Sequence, residues 1–179
     1  LPIPFRDLGE GEPSGVAGFL RFIDEPDGRG IRGALFIMSA RGEPVEFAFT
    51  RIKLRSGVLW RPGHARSRSV SALTKALFES ASNQADVVFS LAEETPPAVF
   101  SDDIRPEIPL CRVASQDPVS VAPTEETQQL SESLTLYWTN GLPPPGSVAA
   151  RVAEILGRRQ LLIEPFERAA LGIQEAFDS

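Results

Sequence analysis

The side chains with the most chemical potential in this chain are cations. No carboxylate occurs between Phe47 and Phe78, and seven of the eighteen Lys/Arg fall there: Arg51, Lys53, Arg55, Arg61, Arg66, Arg68 and Lys75. His64, the only histidine, sits among them. The remaining eleven Lys/Arg share the rest of the chain with all twenty-four Asp/Glu, so this segment reverses the sign of a protein whose net charge is −6. Such a reversal creates an anion-attracting surface on a molecule that otherwise repels polyanions. Strand alternation places Arg51, Lys53 and Arg55 on one face, and Arg61, Arg66 and Arg68 occupy the loop and helix start that follow. Trp60, between them, offers a ring on which a base or a guanidinium can stack. Cations at a helix start oppose the helix dipole, which favours an anion supplied from outside. The blander alternative is pairing with the chain's own acids or with an acidic partner.

Carboxylates are the second candidates. A two-metal nuclease gathers three or four acids from neighbouring strand ends, and Asp24, Glu46, Glu79 and Glu93 are the acids placed to meet in that way. Each also has a simpler reading. Asp24 begins Asp-Glu-Pro-Asp-Gly, a turn with its own chemistry. Glu46 alternates with an inward Val45 and Phe47 and should face solvent. Glu93 and Glu94 border a proline-rich loop, and Glu79 lies near a helix end. No metal site and no catalytic residue are assigned on this basis.

Other chemistries are poorly represented. Cys111 and His64 are the only thiol and imidazole, which rules out an internal disulfide and leaves no Cys/His zinc set. Cys111 lies in the apolar run Ile-Pro-Leu-Cys-Arg-Val, where a thiol behaves as an inert small hydrophobe, with Arg112 on the opposite face. Gly28-Arg29-Gly30 lacks the third glycine of a dinucleotide fingerprint, and neither a Walker sequence nor a Gly-x-Ser-x-Gly elbow occurs. No cofactor is expected, and no family signature is present.

The elements that must position these residues read as an α+β plan. Residues 1–14 form an extended, Pro/Gly-rich arm. Val16–Ile23 is a strand closed by the Asp24–Gly28 turn. Ile31–Met38 is apolar on both faces, the mark of a central strand. Val45–Phe49 alternates with a period of two and completes a hairpin. Because the apolar parity changes at Ile52 and Leu54, a bulge is expected near Thr50–Arg51. A helix capped by Ser67 or Ser69 runs to about Ser82 on the stripe Val70, Leu73, Leu77, Ala81. Asp86–Leu91 and Ile108–Val113 read as strands, the first reached by a βαβ-type crossover. After a linker-like stretch comes a strand at Leu134–Thr139. Two amphipathic helices follow, one capped by Ser147 and one beginning near Pro165.

This antiparallel meander followed by helix–strand units is compatible in outline with a ribonuclease-H-like sheet, a likeness of topology that carries no function. The expected division is an arm (1–14), an α+β sheet domain (15–116), a linker (117–133) and a strand plus two-helix segment (134–179) packed on the same domain. No apolar run reaches the about 18–20 residues of a membrane span. The first residues lack the basic-then-apolar layout of a signal peptide, so a cytoplasmic protein is expected.

The resulting expectation is a non-catalytic subunit of a larger assembly. It would bind a protein partner, with nucleic acid meeting Arg51, Lys53, Arg55, Trp60, Arg61, Arg66 and Arg68. A metal-dependent nuclease of ribonuclease-H-like type and a purely structural scaffold are the alternatives.

Overall fold

The computed structural model describes residues 2–5, 15–54, 63–100, 107–115 and 119–179. It is α+β, as the element order predicts. Strands β1 (Pro2–Pro4), β2 (Val16–Asp24), β3 (Gly30–Ser39) and β4 (Pro44–Lys53) precede helix α1 (His64–Ser80). Then come β5 (Val87–Leu91), β6 (Leu110–Ala114), β7 (Glu125–Ser131) and β8 (Leu134–Thr139), followed by α2 (Val148–Arg158) and α3 (Glu164–Asp178). All eight strands form one sheet in the order β1-β4-β3-β2-β5-β6-β8-β7. β2, β3 and β4 are an antiparallel meander, whereas β5 runs parallel to β2 and β6 parallel to β5. No helix among the described residues is long and apolar enough to cross a membrane.

The sheet is covered on both faces, which explains its doubly apolar centre. On β3, Ile31, Leu35 and Ile37 join one cluster with Val70, Leu73 and Leu77 of α1. Ala34, Phe36 and Met38 join the other, with Val152 and Leu156 of α2 and Phe166 and Ile173 of α3. Aromatic rings tie the second layer to the sheet. Phe19 stacks on Phe89 at 5.4 Å between centroids and meets Phe166 edge-on at 5.2 Å. The two C-terminal helices therefore spend their apolar stripes on this sheet.

Four local expectations change. The bulge is at Val45: Ile37 pairs with Glu46 and Met38 with Pro44, and the ladder then continues without a shift to Gly30–Lys53. The parity change at Ile52 needs no bulge, because β4 is apolar on both faces, with Ala48 and Ile52 toward α1 and Phe47 and Phe49 toward α3. Helix α1 starts at His64 after Gly63 (φ 89°) rather than at a serine cap, and Ser69 Oγ instead donates to Ala65 O at 2.7 Å within the helix. Residues 125–131, read as linker, are strand β7. Ser147 does cap α2, accepting from Ala150 N at 3.3 Å, and Pro165 lies in the first turn of α3.

Glu46 is the largest local surprise. It is fully buried on the α1 side. Its carboxylate accepts from Ser82 N (2.7 Å), Asn83 N (2.8 Å) and Asn83 Nδ2 (2.5 Å), and so holds the turn that leads from α1 into β5. Removing a charged acceptor strands several donors, a cost beyond the loss of one hydrogen bond. Glu46→Ala should lower stability by about 2–4 kcal/mol, read as a lower urea midpoint at unchanged m-value.

Candidate functional site

The chain builds leftward from β2 through β3 to β4, returns over α1, and resumes on the other side of β2 with β5. Strand order therefore reverses between β2 and β5. Open sheets of this kind bind ligands in the crevice beyond the carboxyl ends of the strands at such a reversal. Here those ends carry Asp24 as the last residue of β2 with Glu25 after it, and Glu93 and Glu94 after β5.

The parallel ladder ends at the pair Leu20–Ser90, so the backbone of β2 beyond it must find other partners. Glu94 supplies one, accepting from Phe22 N at 3.1 Å. At the opposite end of the strand Asp86 Oδ2 accepts from Val16 N at 2.8 Å. Two carboxylates thus bracket β2, and the one at the crevice also receives cations. Arg21 ion-pairs with Glu94, and Arg66 Nη1 donates to the Glu94 carbonyl at 3.2 Å. Arg66 Nε also lies 3.4 Å from Asp24 Oδ1. Burial lowers the pKa of the Arg21 guanidinium, with Glu93 opposing that shift. Arg21 Nε is buried and finds no acceptor among the described residues.

Behind the crevice the turn after β5 is fixed by Arg112. This guanidinium and Glu125 are almost entirely enclosed, at 1% and 2% exposure. Arg112 Nε and Nη2 grip the two Glu125 oxygens at 2.7 and 2.9 Å. Nη1 donates to the carbonyls of Ala92 (3.5 Å) and Thr95 (3.0 Å), and Nη2 to that of Ser120 (2.6 Å). Thr95, also buried, donates to Leu91 O at 2.7 Å and meets Ser90 Oγ at 2.8 Å. The backbone bearing Glu93 and Glu94 is therefore held from β6 and β7. Arg112 indeed leaves Cys111 for the opposite face: the thiol belongs to the α2/α3 core, and burial pushes its pKa well above the ordinary value.

The other residues singled out from sequence are distributed differently. Arg51 and Lys53 are exposed at the end of β4. Arg51 Nη1 lies 3.7 Å from Glu25 Oε1, with its guanidinium 5.8 Å from the Phe177 ring of α3. Arg66 and Arg68 lie on α1, which covers the other face. Arg55, Trp60 and Arg61 lie outside the described residues. His64 is exposed at the start of α1. Of the four acids considered for a metal, Asp24 and Glu93 share the crevice edge. Glu46 serves the α1–β5 turn at the opposite edge, and Glu79 pairs with Lys75 at 4.0 Å. No group of three or more His, Cys, Asp or Glu that could hold a metal ion exists among the described residues, so these acids do not fit a two-metal centre. Sequence reasoning passed over Arg21, although a lone cation inside the apolar run Val16–Ile23 was a signal in plain view.

No family model matches this chain, and no curated protein does either. Solved structures do. Endonuclease V from Streptomyces avermitilis superposes with a TM-score of 0.60 at 12% identity, over 92% of this chain and 82% of that one. Endonuclease V from Bacillus subtilis gives 0.59 at 10% identity, over 90% and 80%. A protein of unknown function from Archaeoglobus fulgidus gives 0.53 at 12%, over 90% and 99%. At these identities the likeness is one of fold. It overturns the expected non-catalytic binding subunit: the fold is similar to that of two endonucleases, which agrees better with the nuclease alternative.

Arg112→Leu should cost about 3–5 kcal/mol by leaving Glu125 buried and unpaired. The double variant Arg112→Leu/Glu125→Leu should lose less than the sum of the singles in denaturant melts. Cys111 should react with a thiol reagent only as the chain unfolds. Stability should fall as pH rises past about 9, where the unfolded thiol ionises and the folded one does not.

Proposed function

We propose that this chain is a nuclease-type domain that acts on nucleic acid at the carboxyl edge of β2 and β5. The observation that carries the reading is the strand-order reversal at β2/β5, on a fold that is similar to that of two endonuclease V chains. What lines that edge supports it: Arg21 and Arg66 supply cations suited to a phosphodiester, and Asp24, Glu93 and Glu94 are the acids beside them. Among these residues there are too few converging carboxylates for a metal pair, so no step of a reaction is routed through one.

The reading is tested with labelled single- and double-stranded DNA and RNA, scored for retention and, on denaturing gels, for backbone scission, in magnesium, manganese or EDTA. Retention is expected to weaken roughly 10- to 40-fold between about 50 and 200 mM salt, the span for two to three phosphate contacts. New termini on the gel would establish the nuclease chemistry. A chain that neither retains nor cuts any of these nucleic acids does not have this function.

A further inference from the structure

At the β2/β5 edge two guanidiniums stand among the carboxylates of Asp24, Glu25, Glu93 and Glu94. Two guanidiniums reach one residue, Glu94: Arg21 through its carboxylate and Arg66 through its carbonyl. They come from different elements, a central strand and the first turn of α1, so their meeting is a property of the fold. Both are part-buried, with side-chain exposures of 23% and 35%. Arg21 retains a buried Nε–H without an acceptor.

We infer that Arg21 and Arg66 form a phosphodiester-binding site that works without a metal ion, with Asp24 as the carboxylate that the phosphate displaces. This inference rests on the nucleic-acid reading above and names its contact. The exchange is physically easy at Asp24, which is 60% exposed and holds Arg66 by a single contact of 3.4 Å. Exposed ion pairs of that kind contribute little stability. Glu94 is different. It is 12% exposed and committed to Phe22 N, so it stays in place and orients both cations. The two unesterified oxygens of a phosphodiester suit the planar, bidentate fork of a guanidinium, and both side chains keep exposed surface from which to meet it.

The test is fluorescence anisotropy of labelled DNA with the full chain, in EDTA and in magnesium. Wild-type binding is expected to persist in EDTA. Arg21→Gln or Arg66→Gln should each weaken it roughly tenfold and reduce the salt slope on duplex by about 0.9. Asp24→Asn should tighten binding several-fold, as a competing carboxylate is lost, and a misfolded variant cannot mimic a gain. Arg66→Lys controls for charge, and should recover the salt slope while losing the bidentate part of the affinity. Binding that vanishes in EDTA and weakens in Asp24→Asn would overturn the inference in favour of a metal ligated by Asp24. DNA binding unaffected by the Arg21 and Arg66 variants would overturn it while leaving the nucleic-acid reading intact. Absence of wild-type binding under every condition would overturn both.

Discussion

Enclosing a guanidinium is costly unless its N–H groups find acceptors, and the way Arg112 places all of its own organises the β5–β8 half of the sheet. Its donors reach Glu125 on β7, Ser120 before it, and Ala92 and Thr95 after β5, while the residue itself belongs to β6. The Tyr137 ring on β8 lies 5.5 Å from the guanidinium carbon and fills its remaining side. A buried ion pair repays its desolvation only with such full satisfaction. What it secures is geometry: the turn carrying Glu93 and Glu94 is fixed to three strands, so the crevice edge has a rigid back wall against which Arg21 and Arg66 can be ordered.

The sequence was legible where a local pattern decides the structure. The doubly apolar run 31–38 became a central strand with its two faces split between separate clusters, and Ser147 and Pro165 marked helix starts where they stand. It was illegible where a distant element decides. Glu46 looked solvent-facing because alternation identifies two faces without saying that α1 will bury the second. Strand β7, Glu-Glu-Thr-Gln-Gln-Leu-Ser, has no apolar face to announce it. It is a strand because β8 offers a ladder and because Trp138 Nε1 donates to Gln128 Oε1 at 2.9 Å.

The candidate site shows the same division. A run of basic residues in sequence suggested one cationic surface, yet β4 and α1 send Arg51 and Arg66 to opposite sides of the sheet, and each meets an acid there. The more informative cation, Arg21, was hidden by its neighbours, since a single arginine within a strand alters composition very little. Its significance comes from the topology: only the strand order brings the end of β2 beside the end of β5, residues about seventy positions apart.

The outer rim at β1 has a bearing on colloidal behaviour. Phe5 donates to Val45 O at 2.8 Å, so the alternate residues Pro2 and Pro4 turn their nitrogens away from β4, and proline nitrogens carry no hydrogen. That border consequently offers a neighbouring molecule acceptors but no donors where those prolines stand. Lateral recruitment of a foreign strand, the first event in fibrillar self-association, is weakened there by covalent chemistry and not by charge, so high ionic strength leaves that effect intact.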